Sequence, residues 1–230
     1  MVYASFWIRP RTVEARLSSA IATLYFGNVS DPSSGFLKVL EIDPDNSVAT
    51  AHLAELDSRQ GHNDRAAGRV EHALQRKPGD AYLEARGAPY VAVQGQLAEA
   101  MNWASNATWQ APDDYVAPEV WCALALQAKQ YETAERAARI ALSADPFLPS
   151  THVNLGLALF HQGKTNEAVE QFSLAATAYP PSAAAHFWLA TLLTAQPEHR
   201  VQAHDEMEQA IRLDPENAAW RAALKAMEEK

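Results

Sequence analysis

The chain has 230 residues, 48% of them hydrophobic, with 28 acidic against 19 basic side chains, a formal charge of -9 and a single cysteine, Cys122. This is the make-up of a soluble globular protein, and it excludes three things: bulk electrostatic attraction to nucleic acid, an intrachain disulfide framework and a thiolate metal cluster. No run approaches the roughly 18 to 20 apolar residues of a membrane helix, so direct membrane insertion is not expected.

In chain order, residues 1–11 come first as an apolar segment carrying Tyr3, Phe6, Trp7 and Ile8. It is too short for a signal-peptide core and has no basic stretch before it. So many large apolar groups need cover. The segment is expected to fold back over the first repeat as a cap, or to dock on a partner or a second copy of the chain.

From there the prolines set a period. Pro10, Pro44, Pro78, Pro112, Pro146 and Pro180 are separated by five intervals of 34, and Pro215 follows at 35. With 13 prolines in 230 residues, five such hits from a given start would arise by chance roughly once in a million trials. Other columns keep the phase: Ala66, Ala100, Ala134 and Ala168; Val70, Ala104, Ala138 and Phe172; Ala73, Ala107, Ala141 and Ala175. Their spacing of i, i+4 and i+7 places them on one face of a helix. Leu53, Trp121, Leu155 and Leu189 form a column of large residues in an earlier helix, with Ala54, Cys122, Gly156 and Ala190 directly behind. Gly27, Gly61, Gly95 and Gly163 recur between the two helices, as a left-handed helix end requires.

First helices are therefore expected near 12–26, 47–60, 81–94, 117–128, 149–162 and 183–196. Second helices are expected near 33–42, 64–76, 97–110, 131–144, 165–178 and 199–213, and a last helix near 217–229. Pro89, inside one first helix, predicts a kink, whereas Pro118 fits the first turn of its own.

This arrangement resembles the tetratricopeptide repeat, most completely in residues 152–180, where Leu155, Gly156, Ala168, Phe172, Ala175 and Pro180 stand at the family spacings. The resemblance covers about residues 12–230. It implies an all-α, right-handed α-solenoid of about six helix-turn-helix repeats, at 12–46, 47–80, 81–114, 115–148, 149–182 and 183–216, followed by a polar capping helix at 217–230. Each repeat would bury its apolar face against its neighbours, giving one continuous domain.

The resemblance also implies that first helices line a groove through repeat positions 2, 5, 9, 12 and 13. From the fourth repeat onward these are Val116, Glu119, Ala123, Leu126 and Gln127; Ser150, Val153, Leu157, Phe160 and His161; then Ala184, Phe187, Thr191, Thr194 and Ala195. This set is largely apolar and suits an amphipathic helix or extended apolar segment, unless the side chains pack on one another instead. A chaperone-tail carboxylate clamp is not expected, because Arg86 stands without its companions: Ala51, His52, Glu55 and Tyr82 occupy their positions.

No catalytic residue, metal site or cofactor is expected. His199 and His204 are five apart, His152 and His186 fall in a packing column, and Cys122 sits in the small-residue column with no base placed beside it. The sequence thus points to a protein-interaction scaffold for a protein partner, with a self-associating homo-oligomeric subunit or an accessory domain of an enzyme complex as alternatives. It does not fix the compartment; the cytoplasm is favoured, with a periplasmic or assembly-associated place open if a leader has been removed.

Overall fold

The computed structural model describes residues 12–26, 32–178, 181–194 and 197–228. Among these the regular structure is helical, and the chain packs as two compact units, residues 1–110 and 111–230. The N-terminal docking candidates Tyr3, Phe6, Trp7 and Ile8, together with Gly27, Pro10, Pro180 and Ala195, lie outside the described residues.

The first unit runs α1 (Val13–Phe26), α2 (Ser33–Leu40), α3 (Ser47–Arg59), α4 (Asn63–Arg76), α5 (Ala81–Val93) and α6 (Leu97–Gln110). The second runs α7 (Val116–Gln127), α8 (Tyr131–Ala144), α9 (Pro149–His161), α10 (Thr165–Thr177), α11 (Ala183–Leu193), α12 (Arg200–Leu213) and α13 (Ala218–Glu228). Within each unit every helix packs on the next, and first helices of adjacent repeats also meet, α3 on α5 and α7 on α9. Such nearest-neighbour burial is what a stack of 34-residue pairs requires.

Two local devices repeat with the period. Two residues after five of the periodic prolines stands a cap: Thr12 accepts from Ala15 N–H at 3.2 Å, Asn46 from Ala49 N–H at 3.0 Å, Asp80 from Leu83 N–H at 3.1 Å, Ser182 from Ala185 N–H at 3.3 Å and Asn217 from Trp220 N–H at 3.3 Å. Each satisfies an amide that the first turn would leave unpaired. The other device is the left-handed residue between paired helices. Gly61, Gly95 and Gly163 adopt φ of 84°, 88° and 79°, and Lys129 takes the same place at φ 57°. The helix end there is closed by Gln130 N–H donating to Ala125 C=O at 2.8 Å, as at Gly163, where Lys164 N–H donates to Leu159 C=O.

The alanine columns are fully buried: Ala66, Ala100, Ala134 and Ala168 show no exposed area, nor do Ala104, Ala138 and Phe172. Helix approach is closest where the sequence has glycine. A Cβ at Gly156 would lie 2.6 Å from Phe172 Cε1, and one at Gly87 would lie 2.3 Å from Val70 Cγ1. Gly87 occupies the column that holds Leu53, Trp121, Leu155 and Leu189 elsewhere, so in this repeat the second-helix valine of the preceding repeat fills the space.

Two helix boundaries are corrected. The helix expected to reach residue 196 ends at Leu193, and the next begins at Arg200 after a 3-10 turn at Pro197–His199, because the extra residue of the sixth repeat is absorbed around a proline that cannot continue the ladder. The first-unit second helix ends at Leu40 rather than 42. Pro89, where a kink is expected, sits inside α5, which continues through it.

Candidate functional site

The groove positions of repeats four to six lie on α7, α9 and α11, all within the second unit. Val153 is buried; Val116, Glu119, Leu126, Leu157, Phe160, Ala184 and Phe187 are half-buried; Ala123, Gln127, Ser150, His161, Thr191 and Thr194 are exposed. The large apolar members are therefore partly covered. Their cover is aromatic. Phe160 and Trp188 have ring centroids 6.1 Å apart, Phe187 meets Trp188 edge-on at 5.4 Å, and Phe187 stacks on Trp220 at 5.4 Å. His161 stacks on Tyr131 at 4.5 Å. These separations lie in the range where aromatic pairs attract beyond simple burial.

Glu119 does not stand free in the groove. The Ser150 hydroxyl donates to its Oε1, and the Thr151 hydroxyl does so at 3.1 Å, tying α7 to the first turn of α9. On α8, Glu135 accepts from Lys164 at 2.7 Å, Gln162 at 2.9 Å and Arg139 at 2.9 Å. Burial alone would raise its carboxyl; these three donors outweigh that and hold it at about 2.

The two histidines of the packing column act as hydrogen-bonded struts. His152 meets Gln171 Oε1 through Nδ1 at 2.9 Å and the Pro146 carbonyl through Nε2 at 3.1 Å, while His186 Nδ1 lies 2.6 Å from Glu206 Oε2. Each links a first helix to its own second helix. Cys122 is fully buried, and burial first, with Glu119 adding, pushes its thiol up to about 12. In the first unit the Arg86 guanidinium lies 3.7 Å over the Tyr82 ring, so it is already engaged with one of the residues that replace the clamp set.

Sequence reasoning missed three features. A cleft of about 850 Å³ opens between α11, α12 and α13, and groove residues Thr191 and Thr194 are part of its lining. His204, Asp205 and Glu208 bring a possible ligand atom each to within 4.8 Å of one another, the one such trio among the described residues; a search for paired histidines passes over it. Phe147, 85% exposed in the α8–α9 loop, belongs to no repeat column.

The comparisons with known proteins turn on this fold. No family model matches the sequence, and no curated protein does. Solved structures do match. The chain overlays one chain of the structure of the APC/C hetero-tetramer Cut9-Hcn1 with a TM-score of 0.80 at 17% identity, covering 96% of this chain and 44% of that one. It overlays Pseudomonas aeruginosa PilF at 0.77 and 21% identity, covering 95% and 97%, and YrrB, a protein of the same repeat class with an unusual peptide-binding site, at 0.62 and 19%, covering 84% and 99%. The fold is that of the tetratricopeptide repeat. The TPR register fixed by Leu155, Gly156, Ala168 and Phe172 is thus the register of the helices themselves. The chain spans less than half of the first of these matched chains.

Proposed function

We propose that this chain is a protein-interaction scaffold that holds an apolar or amphipathic protein segment along α7, α9 and α11, within a larger assembly. The observation that carries the reading is the series Phe160, Trp188, Phe187 and Trp220, whose contacts fix the rings while Phe160 and Phe187 keep part of their surface open. Anchored aromatic rings bind at low entropic cost, since their rotamers are set before the partner arrives. Among the structural neighbours, Cut9 pairs with Hcn1 and YrrB carries a peptide-binding site, which supports the same use of the fold here. Binding is favoured over catalysis because the one thiol is sealed and protonated and His152 and His186 are held as struts.

The test is capture from source-cell extract by wild type against a Leu157→Glu, Phe160→Glu variant. Both side chains are half-buried, so helicity of the variant is checked by circular dichroism. Loss of a specific captured protein with helicity intact is expected. Equal capture by the two proteins would sink the groove reading.

A further inference from the structure

Comparing the last two repeat interfaces position by position shows where the α12–α13 cleft comes from. Between the fifth and sixth repeats Phe172 and Trp188 are stacked at 6.1 Å and Phe160 lies 6.1 Å from the same indole, with half-buried Leu157 one turn before Phe160 on α9. One repeat on, the corresponding residues are Thr191, Thr194, Met207 and Ala223. Every filler has become smaller, the indole most of all. The result is the cleft of about 850 Å³, within the range of pockets that enclose a ligand, with Ala203, Met207, Ala223 and Met227 in its apolar lining. Val201 stands on it 77% exposed.

The shape left behind suits aromatic side chains, and of the four aromatic residues outside the described structure, Tyr3, Phe6, Trp7 and Tyr179, Phe6 and Trp7 stand side by side in the segment that also carries Arg9 and Arg11. Charge matches as well. Residues 1–11 contain Arg9 and Arg11 and no acid, while Asp205 lines the cleft and Glu208 stands one turn along the same helix face, both exposed. Arg200 also reaches the cleft, from the first residue of α12; Asp205 and Glu208 lie beyond it along the helix. The segment precedes the first repeat and the cleft closes the last, so they stand at opposite ends of the repeat order.

We infer that the α12–α13 cleft receives Phe6 and Trp7 of a second copy of this chain, joining copies head to tail through a heterologous contact. Trp7 takes the space that Trp188 fills one repeat earlier, and Arg9 and Arg11 face Asp205 and Glu208. The cleft shares Thr191 and Thr194 with the α11 end of the groove, but the groove is tested at Leu157 and Phe160, so the two readings fail separately.

The experiment is sedimentation equilibrium of the full chain over a wide concentration range. Mass rising with concentration, less steeply at high salt, is expected. Phe6→Ala with Trp7→Ala should weaken association about thirtyfold or more, as removal of a hot-spot pair does. Ala223→Trp with Thr194→Phe, which restores the fillers of the preceding interface, should do the same with thermal stability kept or raised. Should that chain fail to fold, Val201→Lys is the second variant, since an exposed cation there repels Arg9 and Arg11 without touching the core. Neither class of variant should associate alone, yet an equimolar mixture of a segment variant and a cleft variant should form a one-to-one pair. A wild type that stays monomeric, association that survives loss of Phe6 and Trp7, or a mixture that fails to pair would each overturn the inference.

Discussion

Replacing Gly156 by alanine isolates the contact on which repeat packing depends. The new methyl would enter at 2.6, 2.8 and 2.9 Å from three atoms of the Phe172 ring. That ring cannot retreat cheaply, because Phe172 is fully buried and stacked on Trp188. Overpacking of this kind costs about 1–3 kcal/mol, while exchanging glycine for alanine inside a helix returns about 1 kcal/mol. The steric effect wins, and a net loss of about 1 kcal/mol should lower the melting temperature by about 2–4 °C for a chain of this size. The sixth repeat supplies the control, since it pairs Ala190 with Met207 at the matching positions, both buried. Gly156→Ala combined with Phe172→Met recreates that pair, so the double variant should lose less than the sum of the singles, with a coupling of about 1 kcal/mol in urea denaturation. Strict additivity, or a Gly156→Ala chain more stable than wild type, would refute the claim that the glycine is there for the ring.

Lys129 carries a left-handed penalty that glycine avoids at three equivalent positions, so Lys129→Gly should raise stability in urea denaturation by up to about 1 kcal/mol after glycine's own unfolded-state entropy is counted. Glu135 has a carboxyl depressed to about 2, so its contribution is fully present above the ordinary value near 4.5 and is lost as pH falls from there toward 2. Its partners Arg139 and Lys164 are 52% and 40% exposed, which leaves ~1–2 kcal/mol after screening; Glu135→Gln should remove that at pH 7 and flatten stability across this acid window. Glu84 is the reverse case. Burial raises its carboxyl, Asp80 adds, and its Oε2 has no hydrogen-bond partner among the described residues, so ionisation opposes folding above the ordinary value. Glu84→Gln should therefore stabilise at pH 7 and make no difference well below pH 4, read from melting curves at both pH values. Cys122 should react with a thiol reagent at pH 8 only as fast as the chain unfolds; rapid labelling of the folded protein would contradict its burial.

The repeat was legible because its determinants are local and periodic. A proline that cannot continue a helix, an alanine where backbones approach and a glycine where φ turns positive each act within a few residues, and each returns every 34. Exceptions were not legible where the substitute differs in chemistry from its column. Lys129 in the glycine place and Gly87 in the large-residue place both break their columns. The fold holds because the helix end at Lys129 keeps its 2.8 Å closing bond and Val70 moves into the space at Gly87. The sixth-repeat helix boundary departs from the period because one inserted residue near Pro197 shifts the phase, and periodicity alone does not say which side absorbs it.

The candidate site was less legible because exposure of a groove residue is decided by the repeat that follows it. Position 12 of the fifth repeat is Phe160 whatever lies beyond, yet Trp188 is what leaves it half-covered, and Phe187 depends in the same way on Trp220 in the capping helix. Reading positions within a repeat gives the residues; only reading across repeats gives the surface. The cleft makes the point most sharply. Thr191, Thr194, Met207 and Ala223 are ordinary residues taken one at a time, and together they stand where the preceding interface has the larger Leu157, Phe160, Phe172 and Trp188. A solenoid buries each face against its neighbour, so the cleft at α11, α12 and α13 either lowers stability without return or is completed by something else. Stability kept or raised on refilling it, with association lost, would separate these two cases, because a mere packing defect gains stability without changing the mass of the protein in solution.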